Sequence, residues 1–192
     1  DSKSLIAYTD SIIQVKNRAL GYQINIVLAD FKCEKNRLSR YLIYPKFEIL
    51  DAKNEKEQNK WIRNREYTYY GSFKHFIHAL AAGKVEEEYY ELYTATYSLG
   101  LSAGFGRLIH SDSLKVSIGD SPQYKRFYLN DYLKVLYDKG DSYGKSIIKF
   151  KKDYIVIDTL GNVLTPDWIE MAGAWYMERV ADSLPMEYVP IN

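Results

Sequence analysis

A change in the spacing of the hydrophobic residues constrains the fold of this chain more than any other sequence feature. Residues 22–28 mix alternation with β-branched side chains, which is typical of a half-buried strand. In the centre, apolar residues recur at helical spacing, at Phe73, Phe76, Ile77, Leu80 and Ala81. After residue 114 the strand pattern returns in short segments that end in turns. The sequence therefore predicts strands towards both ends and helices between them.

The central pattern predicts two helices. Residues 51–65 are rich in polar helix formers and contain Trp61, so they predict a surface helix with few core contacts. The second helix starts after Ser72, whose hydroxyl can cap the free N–H groups of the first turn. Gly83 is placed to end that helix in the left-handed conformation.

A third helix is predicted near the C terminus. Thr165 is a suitable N-cap, Pro166 fits the first helical position, and Asp167 complements the helix dipole. The apolar residues that follow keep helical spacing, at Trp168, Ile169, Ala172, Trp175, Tyr176 and Val180. We predict a single α+β domain, residues 1–192, in which antiparallel N- and C-terminal strands pack with a central helical hairpin and a C-terminal helix.

Length and charge exclude several classes of protein. The chain has 192 residues, with 26 Lys and Arg against 25 Asp and Glu, so its formal net charge is +1. This balance argues against a broad nucleic-acid surface, which usually needs a basic excess. Cys33 is the single cysteine, so no intrachain disulfide can form. No run of 18 apolar residues occurs, and we predict no transmembrane segment.

Tyrosine is unusually frequent, with 19 residues in the chain. A tyrosine side chain combines an apolar ring with a polar tip, so it suits both half-buried strand positions and binding surfaces. Packing within the sheet is the favoured interpretation of the clusters at residues 67–70, 89–97 and 124–137. A surface that stacks on sugars or grips peptides is the alternative.

His75 and His78 lie three residues apart, on the predicted helix face opposite the apolar stripe. Two such imidazoles could bind one metal ion with a carboxylate from Glu86, Glu87 or Glu88. Zinc hydrolases, however, prefer histidines four residues apart with an internal glutamate. We therefore favour two exposed histidines on a polar face, with no metal and no cofactor. A metal-dependent hydrolase that uses both histidines is the alternative function.

Other candidate motifs are weaker. The Gly140–Ser146 segment resembles a phosphate-binding loop but has three residues between its glycines instead of four. The loop around His110 also holds Ser111, Asp112 and Ser113, yet a catalytic triad requires convergence in space that sequence does not show. Asn36–Arg37 predicts a turn, and the glycines of segment 100–106 predict a loop.

Several blocks, taken in order, resemble one protein family. The two most specific are the Tyr70–Phe76 block (Tyr-Gly-Ser-Phe-Lys-His-Phe) and the Glu178–Pro185 block (Glu-Arg-Val-Ala-Asp-Ser-Leu-Pro). Three others lie at residues 17–24, 41–48 and 61–65. Together they resemble the region that follows the N-terminal domain in Bacteroidetes carboxypeptidase-like regulatory-domain-containing proteins. The similarity covers most of the chain.

The resemblance implies an exported protein of the periplasm or outer cell envelope, with a small β-sandwich in front of this region. "Carboxypeptidase" in the family name refers to that sandwich, so the resemblance implies no peptidase centre and assigns no catalytic residue.

Within the resembling blocks lies a candidate functional or structural polar cluster, Arg65, Ser72, His75 and His78, for which we favour structural roles. The same blocks contain three aromatic anchors, Trp61, Tyr70 and Trp175. We expect Arg65 and His75 to hydrogen-bond neighbouring loops, and Trp61 and Trp175 to fix helices to the sheet. The predicted function is a non-enzymatic envelope module that binds a protein or glycan partner through an aromatic-rich surface.

Overall fold

A computed structural model of the chain describes residues 4–34, 39–95, 106–139 and 142–190. The chain divides into two compact units, residues 1–67 and residues 68–192. The turn predicted at Asn36–Arg37 lies outside the described residues, and so does most of the loop predicted at 100–106.

The first unit is a four-stranded antiparallel sheet followed by a helix. Its elements are β1 (Ser4–Ile6), β2 (Ile13–Asn17), β3 (Tyr22–Glu34), β4 (Ser39–Ile49) and α1 (Glu55–Tyr69), the last of which crosses the boundary between the units. The long strand β3 pairs with all three of the other strands. It meets β2 through its first half, β1 through its last residues, and β4 along most of its length.

Alternation decides which side of β3 is buried. Tyr22, Ile24 and Ile26 are buried, whereas Gln23 and Asn25 between them are only partly covered. In β4, Pro45 stands opposite Ile26. Among the described strands β4 pairs with β3 alone, and an edge strand is where a residue without an N–H group is tolerated.

Side chains of α1 hold it to the turn between β2 and β3. The indole Nε1 of Trp61 donates to the carbonyl oxygen of Arg18 at 2.9 Å, and the tryptophan is 5% exposed. Arg65 donates through Nε to the carbonyl oxygen of Leu20 at 2.7 Å. Both side chains therefore attach α1 to the turn that leads into β3.

The second unit contains the helix α2 and two antiparallel sheets. Its elements are α2 (Phe73–Ala82), β5 (Tyr90–Ala95), β6 (Leu108–Ile109), β7 (Val116–Ile118), β8 (Tyr124–Tyr128), β9 (Tyr132–Lys139), β10 (Ser142–Phe150), β11 (Tyr154–Asp158) and β12 (Ile169–Gly173). One sheet has the strand order β12-β10-β9-β5-β6, and the other has the order β11-β8-β7. A buried cluster joins the apolar stripe of α2 to strands of both sheets.

The predicted limits of α2 are confirmed. The Ser72 hydroxyl oxygen accepts the backbone N–H of His75 at 3.1 Å, and Gly83 closes the helix in the left-handed region at φ 68°. Phe76, Ile77 and Leu80 are each 5% exposed or less, as the spacing predicted. Within the described part of the chain, no helix is both long and apolar enough to cross a membrane.

The predicted fold class is wrong. The described residues form three antiparallel sheets and only two α-helices, so the chain is β-rich and is not an α+β domain with a helical hairpin and a C-terminal helix. The two central helices do form, but the described residues after them contain eight strands, β5 to β12. Strand pairing over long sequence separations supplies this extra structure.

The C-terminal helix is the clearest error. Residues 166–168 form one 3₁₀ turn, and residues 169–173 form strand β12, which pairs with β10 from Phe150 to Ser146. Two further 3₁₀ turns follow, at Trp175–Met177 and Val180–Asp182. The helical spacing was real, but pairing with β10 satisfies the backbone of this segment and overrides that local preference.

Candidate functional site

His75 lies at the centre of a buried hydrogen-bonded cluster on α2. The residue is 3% exposed, so the prediction of an exposed histidine on a polar face is wrong. Its Nδ1 receives the backbone N–H of Gly71 at 3.1 Å and lies 2.8 Å from the Tyr90 hydroxyl. Its Nε2 lies 3.1 Å from the Glu88 carboxylate. The face is buried because Tyr69, Tyr90 and Tyr137 pack against the imidazole.

The backbone fixes the protonation of His75. The N–H of Gly71 can only donate, so Nδ1 must accept and the neutral ring carries its proton on Nε2. That proton points to Glu88. Burial lowers the pKa of His75, and the hydrogen bond to Glu88 opposes this shift in part. The neutral ring therefore links the backbone just before α2 to the Glu88 carboxylate through hydrogen bonds.

His78 is half-buried, so the prediction of an exposed histidine is wrong here as well, and its hydrogen bond is separate from those of His75. The Tyr69 hydroxyl lies 2.8 Å from its Nδ1, while its Nε2 is buried and has no hydrogen-bond partner among the described residues. Burial, with a smaller contribution from the Lys74 charge, lowers the pKa of His78 to about 4. The imidazole is thus neutral at physiological pH.

The two histidines are not arranged as a metal site. The Tyr69 ring contacts both imidazoles, with its centroid 4.9 Å from that of His75 and 5.7 Å from that of His78. Across the described residues there is no group of three or more His, Cys, Asp or Glu side chains that could hold a metal ion. The ring nitrogens of His75 are both hydrogen-bonded, so the geometry gives the hydrolase hypothesis no support.

The loop around His110 does not form a triad either. The Ser111 hydroxyl donates to Glu86 at 2.7 Å, and the Ser113 hydroxyl donates to the carbonyl oxygen of His110 at 2.6 Å. The His110 side chain is 83% exposed. A nucleophile bonded to a histidine base is therefore not present in this loop.

The aromatic residues that the sequence singled out are mostly internal. Trp175 is 4% exposed, contacts Phe73 and Phe76, and donates through Nε1 to the carbonyl oxygen of Gly71 at 2.8 Å. It belongs to a 3₁₀ turn, from which it fastens the start of α2. Tyr70 is half-buried and meets His75 edge-on. These contacts assign both aromatic residues to packing around α2.

A pocket opens beside the first turn of α2. It has a volume of about 330 Å³, within the range of ligand sites. Its apolar wall includes Phe73, Ile77, Val163, Leu184 and Met186. Its polar lining includes Ser72, Lys74, Asn162, Glu178, Asp182 and Ser183. One wall comes from α2, a second from residues 161–166, and a third from residues 178–186, which we call the C-terminal strap.

Lys74 ties the C-terminal strap to α2. Its Nζ donates to the carbonyl oxygens of Pro185 and Met186, each at 2.6 Å. Burial lowers the pKa of Lys74 to about 8, and the charges of Glu187 and Asp158 oppose that shift. Two charge-assisted hydrogen bonds thus hold a segment that has no regular secondary structure at the point of contact.

Glu178 makes a second attachment. One carboxylate oxygen, Oε1, accepts the backbone N–H of Phe73 at 2.9 Å, which is a free donor of the first helical turn. Burial of the carboxylate raises the pKa of Glu178 to about 7; the bond from Phe73 opposes the shift, and the Asp182 charge adds to it. The residue as a whole is solvent-exposed, so water screens this charge in part.

Sequence reasoning found only part of this site. Ser72 was identified as a cap, and it lines the pocket as well. The sequence did not identify three charged residues of the pocket lining, Lys74, Glu178 and Asp182. These residues lie in the two most specific blocks of the family resemblance, Tyr70–Phe76 and Glu178–Pro185. Arg65 forms its hydrogen bonds within the first unit. The charged residues within those two blocks were the sequence feature that could have pointed to this pocket.

Comparison of the chain with protein-family models, with curated proteins and with solved structures finds no match.

Proposed function

We propose that this chain is a non-enzymatic binding module of the cell envelope that receives a side chain of a partner protein in the pocket beside α2. The observation that carries the proposal is the pocket itself. Apolar side chains form most of its wall, while carboxylates from Glu178 and Asp182 line one part of it. That combination is typical of sites that bind a ligand by burial and orient it by a few polar groups.

The two histidines of α2 and Lys74 are engaged in hydrogen bonds within the protein, which supports the non-enzymatic part of the proposal. His75 connects Gly71 to Glu88, and His78 is bonded to Tyr69. Lys74 donates to two backbone carbonyl groups. A general base needs an accessible nitrogen or oxygen within reach of a substrate, and His75 and His78 do not present one.

The lining favours a protein partner over a glycan. Sugar rings stack on exposed aromatic faces, and the single aromatic side chain that lines the pocket, Phe73, is half-buried against Trp175. Among the tyrosines of the second unit whose exposure is described, Tyr89 is the most exposed, and it does not line the pocket. Aliphatic side chains of a peptide match the remaining wall, which includes Ile77, Leu184 and Met186. The envelope location rests on the family resemblance.

A selection from a displayed library of random decapeptides tests the proposal. We expect peptides that bind the wild-type chain to lose binding when Leu184→Trp fills the pocket. The matched control is Ile118→Trp, at a residue that is 71% exposed and outside the pocket lining, and it should bind as the wild type does. Equal binding by both variants would contradict the proposal. In a separate titration, binding of soluble peptidoglycan glycans that is lost in Leu184→Trp would also contradict it.

A further inference from the structure

Three of the side chains that line the pocket use their hydrogen-bond donors within the protein. Ser72 donates through its hydroxyl to the carbonyl oxygen of Tyr69 at 2.6 Å. Lys74 directs its Nζ to two carbonyl groups of the strap. The amide Nδ2 of Asn162 donates to Asp158 at 2.9 Å. These three side chains are therefore not free to donate to a ligand.

Acceptors, in contrast, remain available. Glu178 uses Oε1 for the N–H of Phe73, and Asp182 uses Oδ2 for the N–H of Arg179 at 3.0 Å. The second oxygen of each carboxylate has no hydrogen-bond or ion-pair partner among the described residues. The pocket thus offers two carboxylate oxygens to a ligand that donates hydrogen bonds.

The charges around these acceptors also favour a cation. The negative charge of Asp182 raises the pKa of Glu178, so the two carboxylates repel each other. Lys74 lines the same pocket, but its ammonium group is bonded to the strap carbonyls and does not pair with either carboxylate. The lining contains two carboxyl groups and one ammonium group, so acidic side chains outnumber basic ones. A cationic group would relieve the repulsion between the two carboxylates.

We infer that the pocket binds the side chain of a lysine from a partner protein, with its ammonium group between Glu178 and Asp182. This inference rests on the proposed function. The four methylene groups of the lysine would pack against the apolar wall formed by Ile77, Leu184 and Met186. Each carboxylate already uses one oxygen, so neither offers the paired oxygens that a planar guanidinium prefers, and a compact ammonium fits better than arginine.

Two small probes test the inference in the whole chain. They are N-acetyl-lysine methylamide and N-acetyl-norleucine methylamide, which share an apolar stem and differ in the terminal ammonium group. We expect chemical shift changes of pocket residues, including Leu184 and Met186, with the lysine probe, and weaker binding of the norleucine probe by about tenfold, because a hydrogen bond to a charged group is lost.

Variants locate the ammonium group. Glu178→Gln keeps an oxygen for the N–H of Phe73 but removes the charge, and Asp182→Asn does the same at the second position. Each should weaken the lysine probe by about tenfold and leave the norleucine probe unchanged. Glu87→Gln, an exposed carboxylate outside the pocket, is the control and should bind like the wild type. Thermal unfolding of all three variants checks that they fold.

The outcomes separate this inference from the function on which it rests. Equal binding of both probes, no effect of either charge-removing variant, or no binding of either probe would overturn the lysine inference. None of these results affects the peptide selection, in which loss of binding by Leu184→Trp still supports a side-chain pocket. If the selected peptides bind Leu184→Trp unchanged, the pocket function itself fails.

Discussion

Individual residues set the backbone conformation at the two ends of α2. Gly71 precedes the helix with φ 81° and Gly83 follows it with φ 68°, so both hold conformations that a residue with a Cβ rarely adopts. Their surroundings differ, however. A Cβ on Gly71 would lie 2.7 Å from the Tyr137 ring, whereas a Cβ on Gly83 would have no heavy atom within 4 Å. An alanine at Gly83 would therefore change only the backbone conformational energy, whereas an alanine at Gly71 would also disturb the packing.

Substitution of these glycines should give unequal losses of stability. Gly83→Ala should lower the free energy of unfolding by about 1 kcal/mol, because only the left-handed conformation is penalised. Gly71→Ala should lower it by about 3 kcal/mol, because the new methyl group must also displace the Tyr137 ring. Urea unfolding followed by circular dichroism measures both values. Similar losses for the two variants would show that the Tyr137 ring moves aside easily.

At the scale of elements, α2 organises the second unit. Its apolar stripe packs on both sheets, its His75 face meets a layer of tyrosines, and its first turn binds the C-terminal strap. Lys74 and Glu178 make this last connection with charged groups, one from the helix and one from the strap. The strap is therefore attached to α2 by side-chain hydrogen bonds and not by strand pairing.

Removal of the Lys74 ammonium should loosen the strap. In Lys74→Met, the carbonyl groups of Pro185 and Met186 lose their charged donor, and we expect amide hydrogen exchange across residues 183–189 to become about tenfold faster. Exchange in β9 and β10 should not change. Lys84→Met, at an exposed lysine outside the pocket lining, serves as the control. Unchanged exchange in the strap would mean that its apolar contacts hold it without Lys74.

At the scale of the whole molecule, two groups give the stability of the chain opposite dependences on pH. The pKa of His78 is lowered from 6.5 to about 4, so its contribution is present above pH 6.5 and is lost as the pH falls towards 4. The pKa of Glu178 is raised from 4.5 to about 7, so its contribution is present below pH 4.5 and is lost as the pH rises towards 7. His75 acts in the same direction as His78.

Single variants should expose these opposing contributions. The Glu178→Gln variant lacks the titrating carboxyl group at this position. Its free energy of unfolding should therefore fall more steeply from pH 7 to pH 5 than that of the wild type. In His78→Gln it should fall less steeply over the same range. His110→Gln, at a side chain that is 83% exposed, should keep the wild-type profile. Urea unfolding at pH 5, 6 and 7 measures the slopes, and parallel profiles for all variants would contradict the assignment.

Short sequence patterns correctly predicted the elements that are stabilised mainly by interactions between residues close in sequence. Ser72 and Gly83 bound α2 as expected, because a cap and a left-handed ending act within one turn of the helix. The segment after Thr165 carried equally clear helix signals and became strand β12, because its backbone pairs with β10. His75 was predicted to be exposed and is buried, because the tyrosines that cover it come from β5, β9 and the end of α1.

The same division applies to the candidate site. The sequence by itself determined the start and end of α2 and its apolar stripe, since each of these depends on residue spacing within the helix. Only the tertiary structure decided that residues 178–186 lie beside the first turn of α2 and enclose a pocket with it. More than 100 positions separate Phe73 from Glu178, and no local pattern specifies a contact over that distance, because it depends on how the sheets between them pair.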